Sequence, residues 1–175
     1  MADANLQLLL DRAAISDVVH AYATGLDRRD WALYRGVFAD TIEMEFDSVG
    51  LRSGTYQADE WVRSAKTLFA GFSATQHTSS NHVHDIRGDA ATCVSNMQAE
   101  HFVAREPGDG LDGPDADRWT IGGFYRNALV RTAAGWKLQR VTLNVTWSRG
   151  NPGVSRLALK RGRALRPVDR RESGV

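Results

Sequence analysis

The sequence predicts an α+β fold in which helices cover one concave face of a curved, mostly antiparallel sheet. Helical periodicity is confined to the first 72 or so residues. Beyond them lie four long runs rich in Thr, Val, Phe, Tyr and Trp, at 74–87, 90–105, 118–132 and 135–148. The separators RGD, PGDGLDGPDAD and TAAG are turn or loop chemistry, so successive strands of this length pair antiparallel. At 175 residues, 42% hydrophobic and 25% charged, the chain fits one domain over 1–150 followed by a basic tail over 151–175.

Three helices are expected before the long strands. From about Asn5 to Thr24, Leu8, Ile15, Val18, Val19 and Tyr22 recur at three-to-four-residue spacing, and Gly25 offers a stop. Asp30 can cap a short second helix, WALYRGVF, with Trp31, Tyr34 and Phe38 on its bulky side. TIEMEFD alternates Ile42, Met44 and Phe46 against Thr41, Glu43 and Glu45, as a half-buried strand does, and GLRSGTY reads as a short strand or turn. ADEWVRSAKTLFAGF is a third helix with Trp61, Ala65, Leu68 and Phe69 inward.

Charge is distributed unevenly. From Pro152 onward seven basic residues face two acidic ones, a tail of +5 behind a body of −4. The tail has no aromatic residue for base stacking and the body is acidic, which argues against nucleic acid and for a solvated or subunit-docking segment. Leu157, Leu159 and Leu165 among its arginines allow a helix over the chain's own pocket or over a neighbouring subunit; disorder is the alternative. The N-terminus, with Asp3, Asp11 and Arg12 around a short apolar run, carries neither a signal peptide nor a membrane span, which reads as cytoplasmic. The single cysteine, Cys93, excludes an intrachain disulfide and sits in an apolar alternating stretch, so it is expected in the core.

Two segments carry the chemistry: AYATGLD at 21–27 and TQHTSSNHVHDIRGDAA at 75–91. Together with RAAISDVV before them and GGFYRNALVRTAAGWKL after them, their order and spacing resemble the SnoaL-like branch of the NTF2-like superfamily, of the scytalone dehydratase, bile-acid 7α-dehydratase and lindane dehydrochlorinase type. The resemblance spans about 5–148 and implies an α+β cone around a deep apolar pocket, commonly trimeric. It matches Asp27 and His77 to the His-Asp pair of that type and Tyr22 to the tyrosine of the bile-acid dehydratase, where the dehydrochlorinase has lysine. That departure favours a carbonyl- or hydroxyl-directed reaction over dehydrochlorination. Glu100 and His101 fall where a second acidic or imidazole group is found, with the inward one of the two left open, and Arg140 falls near a leaving-group arginine.

Such a set makes chemical sense. A histidine titrating near neutral pH can take a proton, and a carboxylate on its other nitrogen fixes the tautomer and stabilises the imidazolium. His77 is thus the expected base, Asp27 its orienter and Tyr22 a donor to a substrate carbonyl, with His101 or Arg140 assisting a departing hydroxyl. The expected activity is that of a cofactor-independent dehydratase-type lyase acting on a small cyclic or aromatic hydroxy-carbonyl compound. An isomerase or polyketide-type cyclase is the enzymatic alternative, because each begins with a carbon acid losing its proton. The non-enzymatic alternative is a ligand-binding or assembly subunit, such as the small subunit of a ring-hydroxylating oxygenase.

Trp31, Trp61, Tyr125 and Asn127 are the candidate substrate contacts, and no metal is called for by the resemblance. His82 and His84 nonetheless alternate on one strand face, with Asp85 and His101 as conceivable co-ligands. The loop EPGDGLDGPDAD is too acidic for a phosphate-binding loop and fits a pocket mouth or a subunit contact. The expected partners are a small molecule and further copies of the chain, as a trimer or dimer, with no nucleic acid and no membrane.

Overall fold

A computed structural model of the chain describes residues 2–165. Helices α1 (Ala2–Arg28) and α2 (Trp31–Gly36) lead into a hairpin of β1 (Phe38–Glu45) and β2 (Gly54–Gln57), and α3 (Ala58–Ala70) follows. Then come the long strands β3 (Ala74–Arg87), β4 (Ala90–Phe102), β5 (Arg118–Thr132) and β6 (Gly135–Gly150), and a helix α4 (Gly153–Ala164). The three expected helices are all present, but the hairpin stands between the second and the third. The six strands form one sheet in the order β2-β1-β6-β5-β4-β3. Every pairing is antiparallel except β1 with β6.

The inner face of the sheet is the expected alternation. On β4, Cys93, Ser95, Met97, Ala99 and His101 are buried while Asn96 and Gln98 are exposed. Ile42, Met44 and Phe46 are likewise inward, and Asp30 caps α2 by accepting from the Leu33 N–H at 2.9 Å. Ile15, Val19, Tyr22 and Leu26 of α1 join this core. Leu8 does not: it is exposed with Leu6, Leu9 and Leu10, on the first turns of α1, which leave these side chains uncovered by the described residues.

Gly25 does not end the helix, as its residue type suggests. The helix runs through it to Arg28, and a Cβ there would lie 2.8 Å from the Tyr34 backbone nitrogen. It is a close-approach glycine that lets α2 lie against α1. The same device joins α3 to α4. A Cβ on Gly71 would collide with the Ala158 carbonyl, and one on Gly162 with the Thr67 carbonyl. The first part of the basic tail is therefore a helix packed on α3; its remainder, from Arg166, lies outside the described residues.

Gly25→Ala is expected to cost about 1–3 kcal/mol, since the backbones of α1 and α2 must separate to admit the methyl group. Gly36→Ala, where a Cβ meets nothing within 4 Å, should be neutral or slightly stabilising. Urea unfolding midpoints of the two variants at unchanged m-value measure the difference.

Candidate active site

Asp27 lies in the last turn of α1 and His77 on β3, the edge strand that α1 crosses. His77 Nδ1 is 2.7 Å from Asp27 Oδ1, the His77 backbone N–H donates to Oδ2 at 2.6 Å, and the Thr75 hydroxyl donates to Oδ1 at 2.9 Å. Thr75 and His77 share a face by strand alternation, so one carboxylate reaches both. Burial pushes the Asp27 carboxyl up, but the hydrogen bonds and charge of His77, with that of Thr75, outweigh it and hold it below the ordinary value. An ionised carboxylate only accepts, so Nδ1 of His77 carries a proton, and in the neutral imidazole Nε2 is the lone pair.

Arg29 closes this corner. Its backbone turns left-handed (φ 58°), and its guanidinium donates to the Leu26 carbonyl at 2.7 Å and to Thr75 Oγ1 at 2.9 Å. It also sits 5.3 Å from the centre of the Phe69 ring. The guanidinium thus fixes the hydroxyl that fixes the carboxylate, and neither Arg28 nor Arg29 competes with His77 for Asp27 among the ion pairs of the described residues.

His77 lines a cavity of about 350 Å³ between the sheet and α3. Trp61, Ala65, Leu68 and Phe69 of α3 form one wall, and Met97, Ile121, Tyr125 and Leu143 of the sheet the other. Ser155 and Leu159 of α4 contribute as well, so the tail helix helps to enclose the chain's own cavity. Most of this lining is apolar or aromatic, as in a small-molecule site.

His101, rather than Glu100, faces inward. Its ring is 5.5 Å from that of His77 and its Nδ1 lies 3.2 Å from the Trp119 carbonyl oxygen, which can only accept. Desolvation, reinforced by His77, pushes its pKa down to about 4, so at neutral pH it is uncharged with Nε2 as an acceptor. Glu100 instead accepts from Thr120 and Gln98. Tyr22 borders the cavity beside Tyr34 and Tyr125, at ring distances of 5.2 and 5.8 Å. Burial drives its pKa well above 10, and it remains a phenol.

The other expected site residues divide. Trp61 and Tyr125 line the cavity, and Trp61 donates to the Tyr34 hydroxyl at 2.9 Å. Trp31 does not; it packs edge-on against Tyr34 from outside. Asn127 borders a separate void of about 10 Å³ with Val19, Tyr22 and His77, and its Oδ1 has no partner. Arg140 is outside altogether, half-exposed and paired with Glu43 through Nε at 2.6 Å. The reason is a register shift on β6. Leu138 and Val141 are both buried, so Gln139 and Arg140 are both turned out.

Trp119 is a site residue that the sequence motifs do not single out. Its indole N–H is buried without a partner and its side chain lines the cavity, which leaves a donor available to an oxygen placed there. Its alternation with Ile121 on β5, opposite His101, is the signal that places it inward.

The chain belongs to the SnoaL-like domain family, whose model matches residues 7–142. Among solved structures it is 34% identical to a protein of Kribbella flavida, covering 85% of this chain and 99% of that one at a TM-score of 0.77. A Novosphingobium aromaticivorans protein provisionally called a scytalone dehydratase is 22% identical, with 87% and 97% covered and a TM-score of 0.68. A hexachlorocyclohexane dehydrochlorinase of Novosphingobium barchaimii is 17% identical, with 83% and 93% covered and a TM-score of 0.66. These last two likenesses are of fold. No curated protein sequence matches the chain. No helix of the described residues is long and apolar enough to cross a membrane.

Burial of His101 fixes a pH dependence. Its folded pKa of about 4 lies below the ordinary 6.5, so the unfolded chain binds the proton more readily. Stability is full above about pH 6.5 and is lost as pH falls towards 4, on the order of 3 kcal/mol for this group. His101→Gln should flatten that part of a stability-against-pH curve measured by urea unfolding between pH 4 and 7.5.

Proposed function

We propose that the chain is a cofactor-independent lyase of dehydratase type acting on a small cyclic or aromatic hydroxy-carbonyl compound. The observation that carries this reading is the His77–Asp27 pair at 2.7 Å, with His77 lining an apolar cavity of about 350 Å³. A subunit serving only assembly would fill that space with side chains.

The proton path follows from the tautomers. His77 Nε2 takes the proton α to the substrate carbonyl, and the imidazolium that forms is stabilised by Asp27 through Nδ1–H. The enolate oxygen is met by neutral donors, the Trp119 indole N–H and the Tyr22 phenol, both of which stay protonated. His101, expected to assist the departing hydroxyl, presents an acceptor at neutral pH and therefore orients the substrate hydroxyl rather than protonating it. The departing hydroxide is then protonated by His77 itself, which returns the proton it took and releases water. One base serving both steps requires the proton and the hydroxyl to leave from the same side of the ring. Isomerisation shares the first step and diverges when no leaving group stands β to the carbonyl.

The reading also includes a homo-oligomer. Support comes from Phe124 and Trp147, large apolar side chains exposed on the sheet, together with the bare leucines of α1. Sedimentation equilibrium of the full chain tests it, and a monomer at micromolar concentration would remove it from the proposal.

In D2O, the protein should exchange the α-proton of cyclic β-hydroxyketones and dehydrate some of them, followed by NMR. His77→Gln is expected to lower the rate by roughly 10²–10⁴-fold with the far-UV spectrum unchanged. Trp119→Phe, which removes only the N–H, should lower kcat/KM by about 3- to 10-fold. Absence of both exchange and dehydration across a ring-size series, with ligand binding retained, would leave the fold as a binding module.

A further inference from the structure

A second cluster of chemistry-bearing side chains lies away from the cavity, where the middle of α1 crosses β3. His82, His84 and Cys93 bring one ligand atom each within 4.8 Å of one another. His84 and Cys93 are directly paired across β3 and β4, and Cys93 is fully buried. His20 of α1 stacks on His82 at 4.7 Å and is itself exposed, which marks a way in from solvent.

Simple alternation would put His82 and His84 on the opposite face of β3 from Thr75, His77 and Ser79. A bulge between Ser80 and Val83, with Asn81 at φ 56°, inserts one extra residue and turns both imidazoles inward, leaving Val83 exposed. A non-glycine residue held left-handed costs backbone strain, and its effect here is to aim these two rings at Cys93.

The hydrogen bonds fix which nitrogens are free. The Ser79 hydroxyl donates to Ser95, so it accepts from His82 Nε2–H at 3.0 Å. His82 Nδ1 then accepts from the Ser16 hydroxyl at 2.9 Å, and Ser16 must accept from His84 Nε2–H at 3.0 Å. The chain of donors ends at His84 Nδ1, a lone pair that is buried and has no partner. An unpartnered acceptor beside a buried thiol is an unmet requirement, and a soft or borderline cation meets it.

We propose that His82, His84 and Cys93 form a binding site for a zinc-class divalent transition-metal ion, with His84 ligating through Nδ1. The Cys93 thiol loses its proton to solvent as the ion enters, and the thiolate becomes the ligand. Ser16 releases His82 Nδ1 to the ion and keeps its bond to His84 Nε2–H, which orients that ring from outside. A fourth position is left to water or to His20. Arg12 lies close enough to His84 to oppose a cation, and the thiolate charge compensates for it.

Tag-free full-length protein titrated with Co(II) as the probe tests the site. One equivalent should bring a thiolate-to-cobalt charge-transfer band and visible d–d bands, and Zn(II) should displace it. Cys93→Ala should abolish the charge-transfer band, and His84→Gln should weaken binding by more than the roughly 10- to 100-fold that loss of an outer partner costs. His77→Gln should leave binding untouched, which separates this site from the proposed catalytic pair. His82→Gln, at a half-exposed position, keeps the test valid if Cys93→Ala fails to fold. No charge-transfer band in the wild type, or one that survives Cys93→Ala in folded protein, overturns the proposal.

Discussion

The carboxylate of Asp27 is the constraint on which the rest of the site depends. It accepts from the His77 ring, the His77 backbone and the Thr75 hydroxyl, and so clamps the end of α1 to the edge strand of the sheet. Half-burying a carboxylate is unfavourable by itself; three donors, one of them on a group that can become a cation, reverse the balance. The backbone N–H that it takes from β3 is one that an edge strand would otherwise leave open. A single residue therefore protects the strand edge, sets the crossing of the helix and selects the tautomer of His77.

Asp11, near the other end of α1, shows why the pair at Asp27 reads as chemistry. Asp11 is buried, is gripped by both terminal nitrogens of Arg131 at 2.7 Å and accepts from Trp136 Nε1 at 3.1 Å. Chiefly the Arg131 hydrogen bonds hold it down to about 2. Its partner is a permanent cation with no proton to exchange at physiological pH, and Asp11 lines none of the described cavities. Asp27 has as its partner the one side chain type whose charge changes near neutrality, with its second nitrogen free and an apolar cavity alongside. Both carboxylates tie α1 to the sheet, and the identity of the partner separates a structural clamp from a proton-transfer group.

Much of this was legible in the chain. Strand alternation placed Ile42, Met44 and Phe46 inward, and helical spacing placed Phe69 and Leu68 against the cavity. Asp27 and His77, 50 residues apart, were paired only through the resemblance, because no local pattern links a helix end to a strand. What escaped were features set by tertiary crowding or by a change of parity. Gly25 looks like a terminator, yet its purpose is the close approach of Tyr34. Arg140 was expected inward, and the bulge at Gln139 turned it out. The bulge at Asn81 did the reverse for His82 and His84, which plain counting places opposite His77. A single inserted residue inverts every later side chain on its strand, and no local signal at Asn81 or Gln139 announces it.

Enclosure and chemistry come from different stretches of the chain. The family match ends at residue 142, and it contains Tyr22, Asp27, His77, His101 and Trp119, every polar group invoked in the proton path. Ser155 and Leu159 of the enclosing helix lie beyond it. That helix comes into backbone contact with α3 through Gly71 and Gly162, and it buries Val154 and Ala158 in the core. Close backbone approach brings the lining residues of α4 down to the cavity without filling it, so the volume is set by the two glycines as much as by the side chains facing inward. Arg161 secures the far end with a 2.7 Å bond to Asp109 in the acidic loop between β4 and β5. The basic tail and the acidic loop, each of which the sequence leaves either at the pocket or at a subunit contact, thus meet each other over the described part of the tail. Their opposite charges hold the enclosing helix in place.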